Sequence, residues 1–386
     1  MAGPPTPPRE TGRFTFESDG LRYEVRRPLL QHEDHDTLLL AWCGPLKEKG
    51  PRRLVVLKQV EVPPGREGRM RAVEEVRLAA HLHHPAIARV FGLAERRGSP
   101  YVVMEHTRGA FLATLLSSAS LLDRKLSPAF AAFITAEVAN ALDYAHHRQD
   151  DRGRPLHIIH RAVSLSTIRL GRNGRVKLTH FGAAFSELLG RMPTPPRVLR
   201  GNIAYAAPEL IRSVSEKGKE GLLSPHGFDS RADLFSLGLV LLEMIAGHHP
   251  LDPPDVLPPK VSRRALRLVS GMRAEHSAWA SIEVLADRLL RFGPEDVERI
   301  ARGAPAPLKQ VVHRALRSDP SRRYPSAAEL RDDLREYLAS LRRPFGAPEA
   351  AAELADIVKS ASMIQRMDAN PVELGVLPWP KASSIR

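Results

Sequence analysis

Two hydrophobic periodicities succeed one another along the chain. Over residues 21–106 short runs alternate apolar and polar positions: Leu54-Val55-Val56-Leu57, Ile87-Ala88-Arg89-Val90 and Tyr101-Val102-Val103-Met104. Such runs predict strands. Residues 69–82 interrupt them with apolar positions at helical spacing (Val73, Val76, Ala79, Ala80), and Pro85 closes the pattern. From there the period is mostly that of helices. Residues 128–147 (Phe130, Ile134, Val138, Leu142, Tyr144) and 231–247 predict buried helices, and more follow from Pro307 to about Leu341. The stretch from Pro344 carries one amphipathic helix (Leu354, Ile357, Val358, Ala361, Ile364) and a Pro- and Trp-containing end, Val376 to Pro380. Strands with one helix, followed by a helical remainder, predict an α+β fold.

The expected organisation is a flexible tail over residues 1–20, a β-rich part over 21–106 and a helical part over 107–343. A C-terminal extension occupies 344–386. Residues 212–228, rich in Gly, Ser and Lys, and 253–292, with its own helical pattern, read as insertions.

Composition narrows the picture modestly. With 386 residues and 43% hydrophobic character the chain can bury one large two-lobed core or two smaller ones. The longest apolar stretch, 234–247, is too short to span a bilayer, and residues 1–20 contain no apolar signal segment. The single cysteine, Cys43, cannot form an internal disulfide, so a cytoplasmic setting is expected. The net charge of +13 comes mainly from scattered arginines and includes no basic run interleaved with aromatics. No nucleic-acid partner is therefore expected.

Six segments in order carry a resemblance. They are Val55-Val56-Leu57-Lys58; Glu75 ahead of His84-Pro85; Tyr101 to Glu105; Ala207-Pro208-Glu209; Asp233-Leu234-Phe235-Ser236-Leu237-Gly238; and Asp319-Pro320-Ser321-Arg322-Arg323-Tyr324. Together they resemble a bacterial Ser/Thr protein kinase domain over residues 23–341. The resemblance implies a two-lobed protein-kinase-like fold, with a small β-rich N-lobe and a larger, mainly α-helical C-lobe. It implies that Lys58 pairs with ATP phosphates and with Glu75, and that Met104 is the gatekeeper. It further implies that Asp233 anchors the catalytic loop, that Glu209 pairs with Arg323, and that His160 and Phe181 are apolar spine positions.

The resemblance also shows where this chain departs from the family. His160-Arg161-Ala162 and Thr167 stand where the family has a catalytic Asp and a metal-binding Asn, and His180-Phe181-Gly182 lacks the metal-binding Asp. Ser164 replaces the usual Lys, Asn202 a Thr, and Arg169 an apolar floor residue, while Val56 stands for a small Ala. Residues 29–37, including Glu33, Asp34 and Asp36, contain no glycine where a phosphate-covering loop is expected.

From these losses the expectation is a degenerate, catalytically inactive pseudokinase: a regulator or scaffold acting through protein–protein binding. Its partner would be another kinase or a signalling protein, and neither ATP nor Mg²⁺ would be bound. Lys58 and Glu75 would be residual, and no catalytic position intact at Ala162, Thr167 or His180. The alternative is a Ser/Thr protein kinase or nucleotide-dependent transferase with a non-standard ATP site using Lys58. Whether the C-terminal extension packs in cis or docks a partner stays open.

Overall fold

The structure is a computed structural model that describes residues 13–31, 37–46, 50–60, 66–191, 194–195, 197–215, 227–252, 261–269, 272–276 and 280–367. Of the sequence expectations, those on the acidic residues 32–36, the centre of the first insertion (216–226), parts of the second, and the Val376 to Pro380 end lie outside the described residues. The fold is two-lobed and protein-kinase-like, with a β-rich N-lobe and a helical C-lobe. The chain divides into two compact units. One contains residues through His83, Ala88–Arg108 and those from Ser362 onward; the other contains His84–Ile87 and Gly109–Ala361.

In the first unit, strands β1 (Phe14–Ser18), β2 (Leu21–Gln31), β3 (Thr37–Pro45), β4 (Arg53–Gln59), β5 (Val90–Arg96) and β6 (Ser99–Glu105) form an antiparallel sheet in the order β1-β2-β3-β4-β6-β5. β1 lies within the stretch read as a tail; Phe14 and Phe16 alternate with polar residues, and Phe16 stacks on Tyr23 at 5.0 Å. Period two sends Val55 and Leu57 into an apolar core with Tyr23, Val25, Leu39, Ala41, Cys43, Tyr101 and Val103. The intervening Val56 and Lys58 therefore point to the opposite face. Helix α1 (Arg66–Ala79) supplies that side of the sheet with Glu75.

The second unit has a small sheet of β7 (Gly109–Phe111), β8 (Ile168–Gly171) and β9 (Val176–Leu178). Helix α2 (Leu112–Leu121) leads to α3 (Pro128–His146), whose N-cap Ser127 accepts from the Phe130 amide and whose first residue is proline. α3 packs against α5 (Arg231–Ala246), a helix buried on nearly every side and stopped by Gly247 at φ +85°. Preceding α5, β10 (Val198–Asn202) runs into α4 (Pro208–Ser215). The second insertion folds as α6 (Arg263–Leu268), β11 (Arg273–His276) and α7 (Ile282–Arg291), with β11 parallel to β10. The helices α8 (Pro294–Ile300), α9 (Ala306–Ala315), α10 (Ala327–Ala339) and α11 (Ala347–Met367) complete the chain. Among the described residues no helix is long and apolar enough to cross a membrane.

Candidate active site

Each unit carries its own group of candidate residues: an ion pair in the first and a loop system in the second. β4 is hydrogen-bonded on both sides, Lys58 lying opposite Leu38 on β3 and Val102 on β6. This fixes the stem of Lys58 in the middle of the sheet. Its Nζ donates to Glu75 Oε2 at 2.9 Å, and both side chains are buried. Breaking such a pair by removing one partner leaves an uncompensated buried charge, which costs about 3–5 kcal/mol. Val56 and Met104 face each other across the same strands, both buried. The sequence thus brings its expected phosphate-binding lysine and its helix carboxylate together, as the resemblance implied.

In the second unit Asp233 organises the loop. Its Oδ2 accepts from the His160 amide at 2.7 Å and lies 2.9 Å from His146 Nε2, while Oδ1 accepts from the Arg161 amide at 2.8 Å. These donors hold the Asp233 carboxyl below the usual carboxylate range against the opposing effect of burial, which is the largest single influence on it. His160 is wholly buried, and burial pushes its imidazole pKa down. Its Nε2 donates to the Thr179 carbonyl at 2.9 Å, its Nδ1 accepts from the Ala162 amide, and its ring meets Phe181 edge-on at 4.5 Å. Arg161, at φ +60°, donates twice to the Ala183 carbonyl. Gly201 sits at φ +84° directly against that loop; a Cβ there would collide with the Arg161 carbonyl.

The departures from the family pattern take defined places. Thr167 Oγ1 accepts from the Ser164 amide and is 3.0 Å from both the Ala162 and Ser164 carbonyls, closing a short turn. His180 adopts the left-handed region at φ +67°, and its Nδ1 lies 2.5 Å from Thr179 Oγ1. Because Thr179 Oγ1 also donates to the Thr167 carbonyl at 2.9 Å, His180 Nδ1 is the donor to Thr179. Asn202 accepts from the Ala204 amide at 2.9 Å and caps the turn before Ala206. Arg169 is buried with its guanidinium 4.4 Å from the Phe111 ring centre, a cation–π contact that gives its charge a local partner. Ala162 is buried and carries no acid–base group.

Two features escaped the sequence reading. Thr179 ties residues 167 and 180 together, and no pattern in the chain marks it. Tyr205 donates to Glu243 Oε2 at 2.7 Å, with His249 edge-on to Tyr205 at 4.9 Å. Burial raises the Glu243 carboxyl to about 8 and lowers His249 to about 3. A carboxylate inside the apolar run of residues 234–246 was the available signal. Glu209 and Arg323, by contrast, form the pair the resemblance implied: two parallel bonds of 2.6 and 2.8 Å, with Arg323 also donating to the Arg317 and Arg231 carbonyls.

Comparison with known proteins agrees with this geometry. The model of the protein kinase domain matches residues 44–333, so the chain belongs to the protein kinase family. It is 29% identical over 281 residues to the tyrosine-protein kinase MasK of Myxococcus xanthus, covering 73% of this chain and 38% of that protein. It is also 29% identical over 265 residues to the serine/threonine-protein kinase PknJ of Mycobacterium tuberculosis, covering 68% of this chain and 36% of that protein. The chain thus spans little more than a third of the length of these relatives. The crystal structure of the Mycobacterium tuberculosis PknI kinase domain superposes with a TM-score of 0.51 at 24% identity, covering 83% of this chain and 97% of that one, and supports the fold.

These findings correct the expectation of a degenerate, catalytically inactive pseudokinase or scaffold. The Lys58–Glu75 pair, which kinases of this fold must have in place, is formed and buried, and the matched relatives are named as kinases. The same pair corrects the expectation that ATP and Mg²⁺ are not bound, since an ammonium with three donors can hold Glu75 and a phosphate oxygen together. At the two metal positions Thr167 and His180 offer a hydroxyl and an imidazole in place of the carboxylate and amide oxygens that Mg²⁺ prefers, so these two side chains do not fit it. Among the described residues no three His, Cys, Asp or Glu side chains converge as a metal site.

Proposed function

We propose that the chain is a Ser/Thr protein kinase, or a closely related nucleotide-dependent transferase, with a non-standard ATP site that relies on Lys58. The observation that carries this reading is the buried Lys58–Glu75 pair at 2.9 Å. A bound nucleoside triphosphate would supply the transferable phosphoryl group. Lys58, fixed by β4 and Glu75, would contact its phosphates and lower their charge in the transition state. Asp233 and Thr179 keep the loop around Ala162 in one conformation. With alanine at position 162, positioning and electrostatics have to carry the rate without a side-chain base there, so turnover is expected about 10²–10⁴-fold below that of a kinase with one.

The proposal includes protein substrates or partners in signalling, a cytoplasmic setting, and the organisation into residues 21–106, 107–343 and 344–386. It is tested by the change in melting temperature with millimolar ATP and Mg²⁺ or Mn²⁺, together with transfer of labelled γ-phosphate to a Ser/Thr peptide mixture. A shift that Lys58→Ala abolishes is expected. Absence of any shift in the intact chain would refute the reading.

A further inference from the structure

Within the second unit, the part of the C-terminal extension up to Ala361 is clamped by charge at one seryl hydroxyl. Glu353 of α11 takes both polar hydrogens of Ser127: the backbone amide donates to Oε1 at 2.8 Å and the hydroxyl to Oε2 at 2.6 Å. Next to it Arg124 donates to Asp356 of the same helix at 2.7 Å. Ala350, Leu354, Ile357 and Ala361 make the buried face of α11. Phe345 packs on Phe133 at 6.1 Å, and the backbone of Ala347 lies so close to Gly174 that a Cβ at that glycine would collide with it. So through Ala361 the extension packs in cis on the second unit, by a modest apolar face and two anionic contacts centred on residues 124–127. This segment lies outside the matched family region, which ends at residue 333.

We infer that Ser127 is a phosphoacceptor whose modification unlatches α11. Ser127 is half-buried between the buried Leu126 and the exposed Pro128, on a loop whose Asp123, Arg124 and Lys125 are exposed. The loop lies at the surface, and its hydroxyl opens to a kinase when Glu353 lets go of it. In the transfer, Ser127 Oγ bonds to the γ-phosphorus of a nucleoside triphosphate. The bond from that phosphorus to the bridging oxygen breaks, the nucleoside diphosphate leaves, and the hydroxyl proton passes to solvent. The donor enzyme is any Ser/Thr kinase, so the inference stands apart from this chain's own activity.

The product carries about −1.5 to −2 charges on the oxygen that Glu353 now accepts from. A hydrogen-bond donor becomes an acceptor facing a carboxylate, and Glu353 loses its contact and meets repulsion. Arg124 and Lys125, the nearest cations in sequence, turn to the phosphate. Arg124 thereby leaves Asp356, so one modification removes both anionic contacts. α3 is unharmed, because a phosphate at its first turn replaces the carboxylate that sits there already.

The test is hydrogen exchange on the full 386-residue chain with phosphoserine installed at position 127 during translation. Amides of residues 354–361 are expected to exchange at least tenfold faster than in the unmodified chain, while those of α5 stay unchanged. Glu353→Gln carrying phosphoserine should recover part of the protection, because the repelling charge is gone. Ser127→Ala should exchange only slightly faster than the wild type. Unchanged protection of residues 354–361 on phosphorylation would overturn the inference. So would an equal loss in Ser127→Ala, or a loss that extends to α5.

Discussion

Glu243 should make the stability of the second unit fall with rising pH near neutrality. Its carboxyl is fully enclosed in α5, and burial raises it to about 8 from 4.5, with the Tyr205 hydroxyl only partly opposing that rise. The native state therefore keeps a proton up to about pH 8 that the unfolded chain loses near 4.5. Its contribution is complete below the lower value and is lost as pH rises through the upper one, at about 1.4 kcal/mol per pH unit. His249 acts in the opposite direction: burial lowers it from 6.5 to about 3, so its contribution is present above 6.5 and lost as pH falls toward 3. Between 4.5 and 6.5 the two slopes cancel. From pH 6.5 to 8 Glu243 acts alone and removes about 2 kcal/mol, which for a unit of this size is roughly 4–8 °C in Tm. Glu243→Gln keeps an acceptor for Tyr205 and removes the titration. Urea unfolding followed by circular dichroism at pH 6.5, 7, 7.5 and 8 should show the slope in the wild type and its loss in the variant. Parallel curves for the two proteins would refute the reasoning, because every other titrating group is shared.

Further expectations follow from single contacts. Arg323→Ala leaves Glu209 buried without its bidentate partner and should destabilise the second unit by about 3–5 kcal/mol, read from the urea midpoint. Gly201→Ala places a Cβ against the Arg161 carbonyl at a positive φ; a loss of about 1–3 kcal/mol is expected, and an unchanged urea midpoint would refute the close approach of β10 to the loop. Lys58→Ala should lower first-unit stability by about 3–5 kcal/mol as well as nucleotide binding, and Lys58→Ala with Glu75→Ala together should cost less than the sum of the two.

Much of the fold was legible because local patterning and tertiary packing agree. The helix read over residues 128–147 is α3, and the one read over 231–247 is α5, closed by the glycine the pattern ended on. The extension helix read from Leu354, Ile357 and Ala361 buries those residues. Within the candidate site, Lys58 with Glu75 and Glu209 with Arg323 were legible because side chains distant in sequence occupy recognisable motif positions. The substitutions at 162, 167 and 180 were equally plain, but the conclusion drawn from them was not sound. The Lys58–Glu75 pair, which the same motifs had marked, is formed and buried, as kinases of this fold require.

What the sequence alone determined is the set of faces: which residues of each strand and helix turn inward, where proline and glycine stop an element, and which motif positions hold which side chains. These depend on periods of 2 and 3.6 residues and on local backbone sterics, which a single chain displays directly. The tertiary structure alone decided what lies opposite each face. The parallel pairing of β10 with an inserted strand, the Thr179 link between residues 167 and 180, the burial that raises Glu243, and the Glu353 clamp on Ser127 all join residues whose separation in sequence carries no periodic signal. Burial and charge act through distance in space, and that distance is fixed only when the chain has folded.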